Sequence, residues 1–311
     1  MEVIHYPDDP LPSWRKPVLA LGNFDGFHRG HAKIVEQVCR RSSELNATGA
    51  ILTFDPHPPR IVRPDRAPPL LMTQAQKLAC VAGAGLSGAA IVRFTPEVSQ
   101  WAPATFVETV LVEWLGVSEV WVGANFLFGR ERSGNFTLLR TLGAKHGFTV
   151  EKIDPVRYKE FVVSSTRIRR LIQEGNVDDA GALLGHHYAV EGEVVPGAQR
   201  GQEQGAPTAN VRSDNELLPP DGVYASTVTV DGVIHPAVTN VGVRPTFETN
   251  GQRVIESHLL DYDGDLYGMR VEVAFVQHLR AEQAFPNAGA LQRQIANDCA
   301  EARALFDRIS L

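Results

Sequence analysis

The stretch "GNFDGFHRGH" (22–31) puts a carboxylate and two imidazoles, Asp25, His28 and His31, among three glycines, directly after the apolar run "PVLAL" (17–21). A strand leading through a glycine-rich turn into a helix is a phosphate-binding arrangement. The helix N-terminus offers free N–H groups and the positive end of its dipole. Gly22, Gly26 and Gly30 let the backbone approach a ligand closely. His28 and His31 are one turn apart and face the same way if the helix has begun by residue 28. Imidazoles there can donate to phosphate oxygens. Taken singly, Asp25 is an ordinary turn residue and each histidine an ordinary surface residue; the combination points to phosphate chemistry.

Further candidates lie downstream. "TFDPHPPR" (53–60) follows an apolar run, and its prolines are expected to forbid a helix and stiffen a loop displaying His57 at a sheet edge. "VGANFLFGRERSGN" (122–135) offers Arg130 and Arg132 for phosphates in a glycine-loosened loop. "VSSTRIRR" (163–170) supplies hydroxyls at a helix start, from Ser164 and Ser165, with Arg169 inside the helix; simple capping explains the serines equally well. In the second half, "PTAN" (207–210) combines a fixed backbone at Pro207 with the hydroxyl of Thr208 and the amide oxygen of Asn210. Hard oxygen donors of this kind suit Mg²⁺ held with ATP phosphates. The preceding "GAQRG" could wrap phosphates through its N–H groups. Read alone, Glu256 in "VIESHLLDY" is an outward strand residue.

These groups need scaffolds. "GAILTF" (49–54), "AAIVRF" (89–94), "SEVWVG" (118–123) and "FTVEKI" (148–153) read as buried strands alternating with helical patterns such as "HAKIVEQVCRRSSEL" and "PATFVETVLVEWLG". That alternation predicts a Rossmann-like parallel sheet covered on both faces. "SSTRIRRLIQEGN" and a second helix closed by Gly185 end the first half. From Tyr188 the texture changes to period-2, β-branched stretches with a hairpin signal at "VDG" (230–232), predicting an antiparallel barrel with a helix at the end. The expected division is 1–186 and 187–311; 311 residues exceed what one core usually serves.

The charge of −6 argues against a nucleic-acid partner, and no apolar stretch reaches the roughly 20 residues of a spanning helix. Cys39, Cys80 and Cys299 lack paired spacing, which fits a reducing compartment. A cytoplasmic protein acting on small molecules, with no membrane partner, is the expectation.

"HRGH" resembles the (H/T)-x-G-H signature of nucleotidyltransferases. With "TFDPHP", "VGANFLFG", "RSG" and "SSTRIR" in order, then "GQEQGAPTANV", "GVYA", "TNVGVRPTF", "ESHLLDYDGDLYG" and "HLR", the chain resembles, over nearly its whole length, the prokaryotic bifunctional riboflavin kinase/FMN adenylyltransferases. The resemblance implies ATP-dependent phosphorylation of riboflavin to FMN, then adenylylation of FMN to FAD with release of pyrophosphate. It implies Mg²⁺ and ATP at two sites. For the adenylyltransferase it assigns Gly22, Phe24, Asp25, His28, His31, His57, Asn125, Arg132, Ser164, Ser165, Thr166 and Arg169. For the kinase it assigns Gly197, Arg200, Gly201, Gly205, Pro207, Thr208 and Asn210, with Glu256 as base. Adenylyl transfer uses a nucleophile already ionised, so positioning and charge neutralisation suffice; phosphorylating a hydroxyl benefits from a carboxylate base. Gln202 stands where the family is usually basic, Gln204 and Ala206 where it is usually apolar, and Asn125 where many members are acidic. Those departures keep two alternatives in view: an adenylyltransferase with a weakened kinase, and a non-catalytic flavin- or nucleotide-binding regulator.

Overall fold

The computed structural model describes residues 1–196, 208–243 and 253–309, in two compact units. The first comprises Met1–Pro69 with Gln74–Ser164; the second comprises Leu70–Thr73 with Ser165–Leu311.

The first unit is built on β1 (Glu2–Tyr6), β2 (Val18–Leu21), β3 (Gly49–Asp55), β4 (Gly88–Arg93), β5 (Glu119–Gly123), and two-residue strands β6 (Leu127–Phe128) and β7 (Gly134–Asn135), followed by β8 (Thr149–Ile153). Its helices are α1 (Arg29–Glu44), α2 (Pro58–Val62), α3 (Gln74–Gly83), α4 (Pro96–Ser99), α5 (Pro103–Phe106) and α6 (Phe136–His146). Six strands form one parallel sheet in the order β1-β4-β3-β2-β5-β8. β2 is buried along its whole length, as expected of a strand covered on both faces. Winding runs outward from β2 through β3 and β4 on one side and through β5 and β8 on the other. The crevice beyond the carboxyl ends of β2 and β5 is therefore the topological switch point, where open α/β sheets bind ligands. "GNFDGFHRGH" leaves β2 at that point.

Three details differ from expectation. The acidic N-terminus supplies β1, paired with β4 from Glu2↔Gly88 to Tyr6↔Val92. The prolines of "DPHPPR" do not forbid a helix: Pro58 and Pro59 open the one-turn α2, at the first positions, where a missing N–H costs nothing. Beyond α5 the chain winds as a π-helix, Val107–Trp114.

The second unit opens with α7 (Ser165–Gln173) and α8 (Val177–Leu184), the latter closed by Gly185 at φ +91°. Six antiparallel strands, β11 (Tyr188–Val195), β12 (Ala209–Ser213), β13 (Gly222–Val230), β14 (Val233–Val243), β15 (Arg253–Leu259) and β16 (Arg270–Ala281), close into a barrel in the order β11-β12-β15-β14-β13-β16. A further two-stranded ribbon, β9 (Arg157–Tyr158) with β10 (Phe161–Val162), precedes them in the first unit. The β13–β14 hairpin turns at Asp231 (φ +47°) and Gly232 (φ +81°), the left-handed pair a type I′ turn demands. Inside the barrel the hydroxyls of Ser226, Thr239 and Ser257 form a fully buried ladder at 2.6 and 2.8 Å. The terminal helix Ala288–Phe306 packs Cys299 and Ala302 against Val223, Ala225 and Val238 on the barrel's outer face.

One cross-strand pair opposes the fold. Glu191 on β11 lies directly across from Glu272 on β16, and burial together with Glu191 raises the Glu272 carboxyl above its usual range. A carboxyl raised in the folded state binds protons more tightly there than in the unfolded chain, so its ionisation erodes stability as pH rises. Glu272→Gln is expected to raise the melting midpoint at pH 7, with the gain shrinking towards pH of about 4, where ordinary carboxyls protonate. Thermal melts across this range check it; no gain at pH 7 would mean the pair is already relieved.

Candidate active sites

The turn from β2 to α1 is strained in a specific way. Phe24 (φ +52°) and Phe27 (φ +37°) are non-glycine residues in the left-handed region, flanking Gly26 (φ +85°). The strain aims His28. Its φ and ψ, −68° and 170°, make it the N-cap of α1, so the helix begins one residue later than the ring spacing alone suggests. Gly30 N–H and His31 N–H donate to His28 Nδ1 at 3.2 and 3.3 Å. A Cβ at position 30 would sit 3.1 Å from that nitrogen, which accounts for the glycine in "HRGH".

Capping settles the tautomer. A ring nitrogen that accepts from two N–H groups carries no proton, so the proton of neutral His28 is on Nε2, the atom left to donate outward. Burial pushes the His28 pKa down to about 4, so the ring is neutral at pH 7. His31 stacks on it, ring centroids 3.7 Å apart and planes 13° from parallel, and packs at 5.2 Å against buried Phe24. Burial first, then the neighbouring His28 and Lys77, hold His31 well below the ordinary histidine range. Its Nδ1 is buried and meets no hydrogen-bond partner among the described residues. Two neutral, stacked N–H donors thus stand at the helix N-terminus.

Asp25, on the same turn, is buried at 2% exposure. Gly22, donating its N–H to Leu52 O at 3.1 Å, starts the same turn. His57 is the N-cap of α2 just past the end of β3, and Asn125 stands exposed in the turn after β5, at the switch point. Arg132 is exposed in a short 3₁₀ turn between β6 and β7, with Arg130 beside it. Ser164 closes the first unit, whereas Ser165, Thr166 and buried Arg169 lie on α7, in the second.

Sequence reasoning passed over two residues here. Lys77 on α3 is 8% exposed, one helical turn before buried Val81, and its Nζ reaches Thr53 Oγ1 at 3.4 Å. Thr53, fully buried, donates to Asn23 O at 3.2 Å. The available signal was the single charged residue of a short helix, a lysine on its buried side.

In the barrel, register assembles the second constellation. Asn210 on β12 pairs with Glu256 on β15, and Glu256 pairs with Asn240 on β14. Ile255, Ser257 and Leu259 are buried in the barrel, so Glu256 faces outward, between two carboxamides. Asn240 lies in the "TNVGVRPTF" segment, where no local signal marks it as a site residue. Thr208, half-buried, enters β12 just before Asn210. Gly197, Arg200, Gly201, Gly205 and Pro207, with Gln202, Gln204 and Ala206, lie outside the described residues.

The FAD synthetase family model matches residues 11–167 and the riboflavin kinase model matches 184–306. The chain belongs to the bifunctional riboflavin kinase/FMN adenylyltransferase family. Enzymes of that description from Pseudomonas fluorescens and Escherichia coli K12 are 39% and 36% identical, over 98% and 93% of this chain and 98% and 92% of theirs. One from Listeria monocytogenes is 34% identical over 94% of this chain and 93% of its own length. A crystal structure titled a macrolide-efflux protein from Streptococcus pneumoniae matches with a TM-score of 0.87 and 25% identity, covering 97% of this chain and 99% of that one. No helix among the described residues is long and apolar enough to cross a membrane. This chain is thus a riboflavin kinase and FMN adenylyltransferase, and ATP is its co-substrate.

The depressed His28 pKa carries a stability signature. Below its ordinary value of about 6.5 the unfolded chain takes up a proton that the folded chain refuses until about pH 4, so stability falls with pH across that window. His28→Asn keeps a good capping side chain that cannot protonate. Its melting midpoint is expected to fall less than the parent's between pH 6.5 and 4; an unchanged slope would place the titration elsewhere.

Proposed function

We propose that the two reactions divide between the halves 1–186 and 187–311, and that the residues assembled at each site carry them. At the β2–α1 turn, His28 and His31 donate N–H bonds to the phosphates of ATP, helped by the helix N-terminus. The turn residues Gly22, Phe24 and Asp25, with His57, Asn125, Arg132, Ser164, Ser165, Thr166 and Arg169, complete adenylyl transfer. The stacked neutral rings at the switch point are the observation that supports this reading most. The FMN phosphate is already an anion, so its oxygen attacks the α-phosphorus directly, the bond to the β-phosphate oxygen breaks, and pyrophosphate leaves with no base needed.

In the barrel, Glu256 takes the proton of riboflavin's 5′-hydroxyl as the hydroxyl oxygen attacks the γ-phosphorus of ATP, the bond from that phosphorus to the β-phosphate oxygen breaks, and ADP leaves with its electron pair. The outward row Asn210–Glu256–Asn240 supports that role. Thr208 and Asn210 present hard oxygens that fit Mg²⁺, which would neutralise charge on the transferred phosphoryl group when bound. Gly197, Arg200, Gly201, Gly205 and Pro207 belong to the same ATP site by family resemblance. The ligands are small molecules, riboflavin, FMN, FAD and ATP, rather than nucleic acid or membrane. Three cysteines that form no disulfide among the described residues, Cys39, Cys80 and Cys299, suit work in the cytoplasm.

A paired experiment tests the division of labour. Glu256→Gln keeps shape but not basicity, and is expected to lower riboflavin phosphorylation about 10²–10⁴-fold while leaving FMN adenylylation intact. His31→Ala is expected to do the reverse, lowering FAD formation about 10²–10³-fold. Chromatographic separation of flavins after incubation with MgATP reads both. Full kinase activity in the Gln variant would make Glu256 a plain strand residue, with Asp261 and Asp263 the next carboxylates to test.

A further inference from the structure

At the β2–α1 turn itself the adenylyl-transfer reading names no cation, since its arginines, Arg132 and Arg169, lie on other elements. His28 and His31 are neutral, so they donate hydrogen bonds but bring no full positive charge. Yet the reaction gathers negative charge on the α-phosphate and on departing pyrophosphate. A buried cation, Lys77, is tied to that turn. Lys77 is 8% exposed, and the only described side-chain oxygen in hydrogen-bond reach of its Nζ is the Thr53 hydroxyl, a long contact of 3.4 Å. Through Thr53, bonded to Asn23 O, the ammonium is tied to the carboxyl end of β3 and to the loop that carries Asp25, His28 and His31. Asp25 and Asp55 favour its charge, burial opposes it, and its own field is felt at His31. Keeping an ammonium out of water is expensive, and here the fields of Asp25 and Asp55 and one long hydroxyl contact are set against that cost. Buried charge of this kind, held at a ligand crevice, marks function more often than stability.

We propose that Lys77 is the fixed cation of the adenylyl-transfer site, contacting ATP phosphate oxygens and stabilising the charge that forms as the bond from the α-phosphorus to the β-phosphate oxygen breaks. The assignment rests on the adenylyltransferase reading of the β2–α1 turn. In the free enzyme Asp25 and Asp55 compensate the ammonium. With ATP bound, the phosphates share it, and no proton has to move for the step to balance: the FMN phosphate oxygen forms its bond to the α-phosphorus, and pyrophosphate takes the electron pair of the bond that breaks.

The test uses the full-length chain. The parent must first convert FMN and MgATP to FAD; failure there would sink the underlying reading rather than the role of the lysine. Lys77→Met, similar in length and uncharged, is then assayed alongside it. The expected result is a 10²–10³-fold fall in kcat for FAD formation, a smaller change in the KM for FMN, and unchanged riboflavin phosphorylation. All four tryptophans, Trp14, Trp101, Trp114 and Trp121, are in the N-terminal half, so their fluorescence reports its folding directly. Native fluorescence with parental FAD formation overturns the proposal. So does loss of native fluorescence, which would make Lys77 a structural counter-ion to Asp25 and Asp55.

Discussion

Everything proposed at the first site depends on one pair of hydrogen bonds, from the N–H groups of Gly30 and His31 to His28 Nδ1. They satisfy donors that a helix start otherwise leaves open. They also fix which nitrogen of His28 faces outward with a proton. The neighbouring choices follow from that requirement. Gly30 leaves room for the ring, the strained backbone at Phe24 and Phe27 delivers it, and His31 stacks on it one turn along. A charged His28 could not cap, because protonated Nδ1 is a donor; burial keeps the ring neutral and the cap intact.

On the proposed reading, the two halves meet different chemical demands with different means. An anionic nucleophile needs hydrogen-bond donors and positive charge, and the sheet edge provides neutral imidazoles, a helix terminus and a buried lysine. A hydroxyl nucleophile needs somewhere for its proton, and the barrel provides an outward carboxylate between two carboxamides. The parallel sheet places its groups at strand ends, where loops converge. The barrel places them along a row set by strand register, so a single-residue slip would turn Glu256 inward.

Much of this was legible in the residues. Period and punctuation located β2, β3, β4, β5 and β8, the helix at Gly185 and the "VDG" hairpin, because buried runs and left-handed turns leave strong local signals. β1 was not legible: its strand character comes from pairing with β4, a tertiary effect that acidic, proline-broken surroundings conceal. α2 is concealed because proline, a breaker inside a helix, is compatible with its first positions, where Pro58 and Pro59 stand. Lys77 and Asn240 lay outside every motif; the first becomes significant only when α3 folds over the end of β3, the second only when register brings it beside Glu256. Composition could not reveal that His28 caps rather than merely precedes the helix.

The tautomer of His28 is the point on which the account turns, and it can be observed. Two-dimensional ¹H–¹⁵N spectra of the imidazole nitrogens, recorded on selectively labelled enzyme at pH 7 and assigned by comparison with His28→Asn, distinguish a protonated nitrogen from a bare one. The account predicts a neutral His28 with its proton on Nε2 and Nδ1 bare. A proton on Nδ1, alone or as imidazolium, would mean that the cap does not form, and would contradict the proposed presentation of the ring to phosphate.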